Sequence, residues 1–516
     1  MAAVVAGVIV HWRALFTFFS ADDLMHLQQA AGLLPTPTQP WRFLTQVVYF
    51  RVMLWLFGPW PLAFMGVNLL LHSANVLLFR RILLNRQTVP QVALLATVVF
   101  AACPLLFVVI AHAVVVNDFL ALTFMLLALL ASQSRNGALR VSTLPLMITA
   151  LFCKESVLFL PLLAFAKTGS THPLDGRRTR RAMLAVVVIF SAFYLAARAH
   201  GAGPGGSAYA TSVSIVPWNL LTYTQWVSSL QRGLPGLVRS ADSQSWLAGV
   251  AALGGLALAA RMFRRHIPDI AFGLAWWMLG LLPVLPLRFS TYPHYLYVAL
   301  PGFALAAAAS VVGAWDAIAR RVPALGEGDA KAGRARWILA LALSAVYVAQ
   351  AQSLVSERLT LRMQGIDLPL DPQIRSYVVA ARAVTSLAHY DMRHSMRLAI
   401  VSPPELNRVF GARSGRAYSG RTAVYDLQRS VLNDGRALRV FFPAIDSVVY
   451  VDRWSRDLVG FDVATYDDVS GFEVFGRGPD ALSALADRLD AVGANATAAS
   501  LRDSMRAVAH VAPAEP

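Results

Sequence analysis

Two adjacent carboxylates, Asp22 and Asp23, follow the apolar stretch that opens the chain, in the segment FSADDLMHL. A carboxylate so placed can take the proton from a hydroxyl that attacks an electrophilic carbon. If the departing group is a phosphate, cations must meet its developing charge. Lys154 in FCKES, Arg288 in PLRFS and His294 in YPHYLY have the right chemistry for that task. Lysine is rare here, with three against 42 arginines, which makes Lys154 a marked choice. Three further residues are supporting candidates. Glu155 is expected to be the resting partner of Lys154. Asp118 reads either as a helix N-cap or as an acceptor-site residue. His72, well inside an apolar segment, reads more simply as a buried, hydrogen-bonded histidine than as a ligand. The plain alternative for Asp22 and Asp23 is a solvated turn or a cap for the next helix. Whether a divalent metal joins them stays open.

The elements that must position these groups follow from composition. The chain is 57% hydrophobic and 14% charged, with a mean hydropathy of +0.54. A soluble domain carries about 25% charged residues, so an integral membrane protein is expected. Apolar runs of about 20 residues, the length of a membrane-crossing helix, recur through residues 1–356, and residues 357–516 have the texture of a soluble domain. Residues 1–356 hold 26 Lys and Arg against 10 Asp and Glu, whereas the remainder holds 19 of each. The net charge of +16 thus belongs to the membrane half, where topology rather than nucleic acid accounts for it. The expected fold is an all-α polytopic membrane domain over 1–356, followed by a small soluble α/β domain over 357–516.

Candidate spans lie at 2–19, 61–80, 91–111, 118–132, 182–198, 245–261, 268–287, 295–314 and 337–356. Short loops rich in Arg and Lys face the cytoplasm, and five such clusters alternate with arginine-poor loops. Both ends of 141–166 are basic, yet two crossings need about 40 residues. The sequence therefore predicts a hairpin of two short helices with its apex at CKES, and charges at that depth must pack against protein or line a watery cavity. Counted as two, the hairpin brings the total to about 11 membrane segments. The N-terminus is then cytoplasmic, and Asp22, Asp23, Asp118, Arg288, His294 and the C-terminal domain are extracytoplasmic.

Between the first two spans, WRFLTQVVYFRVMLWLFGPW reads as an aromatic amphipathic helix lying on the membrane. VPWNLLTYTQWVSSL, in a second external loop, is similar. GAGPGG at 201–206 follows no strand and reads as loop rather than as a dinucleotide fingerprint. In the tail, RLAIVS, ALRVFFPAI, SVVYVD and FEVFGRG read as strands, and PQIRSYVVAARAVTSLAHY, PDALSALADRLDAVG and ATAASLRDSMRAVAHV as helices. Neither cysteine, Cys103 or Cys153, reports a disulfide framework. No cleaved signal peptide is expected, because the start lacks a basic region and a cleavage site. Alanine- and arginine-heavy usage suggests a bacterial inner or plasma membrane.

This order of elements resembles the GT-C superfamily of membrane glycosyltransferases, which use polyprenyl-phosphate sugars outside the cytoplasm. The closest likeness is to the O-mannosyltransferase-like enzymes with tetratricopeptide tails. Asp22 and Asp23 match that family's acidic pair after the first span, and residues 41–83 resemble the region after it, with Asn68 and His72. LFCKESVLFLPLL resembles its Lys-Glu-Ser segment, and PHYLYVALPGF its Arg-Tyr-Leu-Tyr stretch, with His294 in place of the arginine. Departures are Met65 where that family has histidine, a missing His-Thr-Glu pattern near 106–118, and a tail without repeats. The resemblance implies an inverting sugar transfer in which Asp22 is the base, Asp23 orients it or assists an acceptor or metal, and Lys154, Arg288 and His294 hold the donor phosphate. The implied partners are a lipid-linked sugar donor, membrane lipid and an extracytoplasmic acceptor. The competing expectations are a transporter or flippase of lipid-linked precursors, and a non-catalytic envelope scaffold.

Overall fold

The structure is a computed structural model that describes residues 1–37, 42–165, 176–199, 210–228, 243–288, 291–321, 329–363, 366–390, 395–402, 409–410, 422–452, 454–467 and 470–509. The GAGPGG loop lies outside the described residues. In chain order the helices are α1 (Ala2–His11), α2 (Ala21–Ala30), α3 (Tyr49–Phe57), α4 (Pro61–Asn85), α5 (Pro90–Ala101), α6 (Leu106–Ile110), α7 (Val116–Ser132), α8 (Gly137–Val141) and α9 (Thr143–Cys153). They continue with α10 (Gly176–Ala199), α11 (Val216–Ser228), α12 (Ser243–Met262), α13 (Ile267–Leu281), α14 (Leu300–Ala319) and α15 (Asp329–Thr360). Among the described residues, five helical stretches are long and apolar enough to cross a membrane. They number seven if two further pairs, Ala2–Phe16 with Ala21–Ala30 and Leu247–Met262 with Arg264–Leu281, each count as one broken crossing.

The chain divides into two compact units. The first comprises Met1–Phe16, Pro37–Val48 and Leu62–Arg358; the second comprises Thr17–Thr36, Tyr49–Pro61 and Leu359–Pro516.

In the first unit, among the described membrane-length helices, the stretch Ala113–Ser132, which contains α7, is the most enclosed by protein, with 67% of its apolar window buried, against 17% for α10 and 28% for α15. Those two present exposed apolar residues such as Val188, Ile189, Ile338 and Val346, as lipid-facing helices do. Several expected spans are interrupted, each for a local reason. The opening helical stretch stops at Phe16, short of the expected 19. The run 91–111 is broken between Ala101 and Leu106 by Pro104, which has no N–H to continue the helix. At Phe263 the chain bends by 105° between α12 and α13. The backbones of α13 and α14 touch: a Cβ on Gly273 would lie 2.6 Å from the Gly302 carbonyl oxygen. Only glycine at these positions permits that approach.

In the second unit, a four-stranded sheet has the order β6 (Ile445–Val451), β3 (Met396–Val401), β7 (Asp462–Asp467), β8 (Gly471–Gly476). The first three strands are parallel and β8 is antiparallel to β7. Two short antiparallel pairs accompany it, β1 (Arg362–Met363) with β2 (Ile366–Pro369) and β4 (Val409–Phe410) with β5 (Thr422–Ala423). Helices Pro479–Ala491 and Asn495–Ala509 pack through Leu485, Leu489 and Leu501 into one core with Val401 and Val463. ALRVFFPAI, expected as a strand, contains a short helix at Leu438–Phe441, and only its last residue enters β6.

This unit also holds α2 and α3. Asn433 Nδ2 donates to Gln28 Oε1 (3.0 Å), Ala21 N donates to Ser376 Oγ (3.3 Å), and Phe18 stacks on Phe441 at 5.5 Å. The α3 stretch buries Phe50 and Met53 and exposes Val52, Trp55, Leu56 and Trp60. Such an apolar, aromatic face suits the membrane interface.

Candidate functional site

Helix α9 is apolar up to Cys153. The Lys154 N–H still donates to Ala150 O at 3.0 Å, but Lys154 itself is extended, with φ −164° and ψ 139°. Successive side chains on extended backbone point to opposite sides, so Lys154 and its neighbour Glu155 diverge. Lys154 Nζ reaches Asp118 Oδ2 at 2.5 Å, and Ser156 Oγ donates to Asp118 Oδ1 at 3.4 Å. Glu155 instead accepts from Arg42, through Nε at 3.1 Å and through Nη2. The expected Lys154–Glu155 pair is thus replaced by two pairs formed across 36 and 113 residues of sequence. Asp118 is likewise not a helix cap. It sits in the first turn of α7, whose N-cap is Val115 and carries no side-chain cap bond, and its carboxylate serves Lys154.

The two pairs differ in depth. The side chains of Lys154 and Asp118 are 4% and 0% exposed, those of Arg42 and Glu155 14% and 20%. Burying two charges costs several kcal/mol per ion and breaking such a pair costs about 3–5 kcal/mol, so the inner pair is a structural commitment. Arg42 adopts φ +58°, in the left-handed region that costs a non-glycine residue about 1–3 kcal/mol. Thr45 secures this corner, its Oγ1 donating to Cys153 O (3.3 Å) and Arg42 O (3.2 Å).

His294 stands in the turn Pro293–Leu296, stacked on Tyr292 at 5.4 Å and edge-on to Tyr295 at 4.3 Å. It lies within electrostatic reach of Lys154, His112 and Arg42, and the Lys154 ammonium is 5.4 Å from the Tyr295 ring centre. Its Nδ1 is buried with no hydrogen-bond partner among the described residues. Arg288 is exposed and is fixed through its backbone: its N donates to Ala210 O (2.8 Å), while Asn219 Nδ2 donates to Leu285 O and Leu287 O. The structure therefore gathers Lys154, Glu155, Asp118 and His294, and adds Arg42, from the WRFL segment, which was not among the site candidates.

His72 is fully hydrogen-bonded, as the simpler reading of it expects. Its Nε2 faces Ala101 O (3.0 Å) and its Nδ1 faces Tyr297 Oη (3.0 Å). Asn75 Nδ2 donates to the same phenol oxygen (3.1 Å), and Thr123 Oγ1 donates to Asn75 Oδ1 (2.8 Å). Nε2–H therefore donates to the carbonyl, and the phenol donates to Nδ1. This chain anchors the end of the turn that carries His294 and Tyr295.

In the second unit, Ser20 caps α2: its Oγ accepts from Asp23 N (3.3 Å), and Asp23 Oδ2 accepts from Ser20 N (2.9 Å). This reciprocal capping box occupies Asp23, which is fully buried, while Asp22 in the same turn is exposed. Both carboxylates also gain from the positive end of the helix dipole. Burial, and then the neighbouring Asp23 charge, push the Tyr49 phenol above its ordinary range, so it stands beside Asp23 as a neutral hydroxyl. Among the described residues, no three His, Cys, Asp or Glu side chains are grouped to hold a metal ion. No family model, curated protein or solved structure matches the chain.

Proposed function

We propose that this chain is a membrane glycosyltransferase of the GT-C kind, transferring a sugar with inversion from a polyprenyl-phosphate donor to an extracytoplasmic hydroxyl. The acceptor oxygen forms the new bond to the anomeric carbon and gives its proton to Asp22. The old carbon–oxygen bond breaks, and the lipid phosphate leaves with the electron pair, met by cationic side chains. Asp23 holds the turn that presents Asp22. The chain would cross the bacterial inner or plasma membrane in about 11 segments, with its N-terminus cytoplasmic and its α/β domain outside.

The observation that carries this reading is the quartet of Arg42, Asp118, Lys154 and Glu155, its inner pair buried and its outer pair partly exposed, at a helix end within an apolar helical unit. Ionisable groups inside a membrane body are costly and mark functional sites by default. The exposed Asp22 beside a structurally committed Asp23 supports the division of labour that the resemblance implies. Broken helices and buried ion pairs also suit a secondary transporter, which would move a lipid-linked precursor without cleaving it. Purified protein in proteoliposomes, given radiolabelled polyprenyl-phosphate sugar and a mixture of acceptors, separates the two. Released polyprenyl phosphate that disappears with Asp22→Asn supports transfer. Translocation of intact donor, or wild-type turnover by that variant, removes the proposal.

A further inference from the structure

The bend at Phe263 joins the end of α12 to the start of α13, and side-chain contacts bring the end of α14 and the start of α15 to the same place. The Phe263 ring packs where α14 has glycine: a Cβ on Gly313 would stand 2.8 Å from Phe263 Cγ. His266 Nε2 faces Asp316 Oδ2 (3.2 Å), and Arg336 Nε donates to Asp316 Oδ1 (2.6 Å). Thr88, just beyond α4, donates through Oγ1 to Asp269 Oδ1 in the first turn of α13 (2.9 Å). Asp269 and Asp316 are thereby occupied inside the protein.

The arginines of this end are not. Arg261, Arg264, Arg265, Arg320, Arg321 and Arg334 are exposed, and none forms an ion pair among the described residues. Arg86 adds a further cation. It and His266, which shares a turn with Arg264 and Arg265, both lie within electrostatic reach of Asp269. The Arg86 guanidinium carbon stands 3.5 Å from the Phe272 ring centre, and its Nε and Nη1 are buried with no hydrogen-bond partner among the described residues. A ring face holds a cation without engaging its N–H groups, so these donors stay open.

Exposed apolar side chains border the cations. Leu258 and Met262 lie on α12, Ile267 follows the arginine turn, and Trp337 and Ile338 follow Arg336. A small free anion or a nucleic acid has no use for that border. An anionic phospholipid has a phosphate for the arginines and acyl chains for the apolar residues, and basic pockets between membrane helices attract such headgroups. We infer that this end of the first unit binds an anionic phospholipid, with its phosphate among Arg86, Arg264 and Arg265 and its chains along Leu258 and Met262. The inference needs the apolar unit to lie in a bilayer and is independent of the transferase proposal.

The test uses the full chain in nanodiscs of phosphatidylcholine, titrated with fluorescent phosphatidylglycerol and with phosphatidylcholine carrying the same label. At low salt the wild type is expected to favour phosphatidylglycerol about tenfold or more. Arg264→Gln with Arg265→Gln is expected to cut that preference about fivefold or more, which is the weight of one interfacial arginine. Arg86→Gln is expected to weaken it as well; the exposed pair decides the matter should Arg86→Gln fail to fold. Arg177→Gln with Arg178→Gln removes two exposed arginines at the start of α10 and is expected to leave the preference nearly unchanged. Equal binding of the two lipids, or an unchanged preference in a folded variant of the bend, overturns the inference. So does an equal loss in the α10 variant, which reduces the effect to general charge attraction. Abolition of the preference by inorganic phosphate at the same concentration would mark a free-anion site and overturns it too.

Discussion

Two adjacent-residue motifs, Asp22-Asp23 and Lys154-Glu155, solve the same problem in opposite ways. In each, neighbours in sequence take different environments. At α2 the division is made by helix geometry: Asp23 turns back to cap its own backbone, and Asp22 in the same turn stays exposed. At the end of α9 it is made by extended backbone, which sends Lys154 to Asp118 and Glu155 to Arg42. In the first motif the Asp23 carboxylate accepts from a neutral N–H three residues away, whereas in the second each charge meets an opposite one brought from a distant segment. A local solution survives mutation cheaply. A long-range one in a low-dielectric interior does not, because an uncompensated charge is left behind.

That contrast can be broken by exchange. The double variant Lys154→Glu with Glu155→Lys preserves composition and would be neutral if the two residues paired with each other. Because they diverge, each new charge meets its like, Asp118 or Arg42. The expected loss of stability is at least that of one broken buried pair, about 3–5 kcal/mol, read from tryptophan fluorescence on heating in detergent. Asp22→Asn should lower transfer by about 10²–10⁴-fold, the usual weight of a general base, with the melting temperature almost unmoved. A large thermal shift there would recast Asp22 as structural. Lys154→Met alone should cost about 3–5 kcal/mol, and adding Asp118→Leu should restore most of it without restoring donor turnover. The smallest effect belongs to the local motif: Ser20→Ala should cost about 1 kcal/mol. If it matched Lys154→Met, the distinction between local and long-range solutions would fail.

Hydropathy made the apolar, membrane-capable helices and the α/β character of the tail legible, because both depend on composition and short-range periodicity. Breaks were legible only where a residue enforces them. Pro104 could have warned of the interruption in 91–111, whereas nothing around Phe263 announces a 105° bend between two apolar runs. At Leu438–Phe441 the apolar alternation of a strand was overridden by helix. The acidic pair was visible as a motif, but its asymmetry needed Ser20, three residues before Asp23. Arg42 was the principal miss at the site. It stands 113 residues from Glu155, and no local pattern distinguishes it from Arg51 in the same segment. The unusual signal was the lysine itself, which pointed to the segment that carries both ion pairs but with the wrong partner.

The contact of Gly273 with Gly302 leaves no slack between two neighbouring helices. The turn joining them is pinned as well, by Trp276 Nε1 donating to Val298 O at 3.0 Å and by the Tyr297 phenol. His294 and Tyr295 therefore lead into a stretch that Tyr297 and Val298 tie to two other helices. A side chain added at Gly273 or Gly302 must push the two helices apart and carry that displacement into the turn that bears His294.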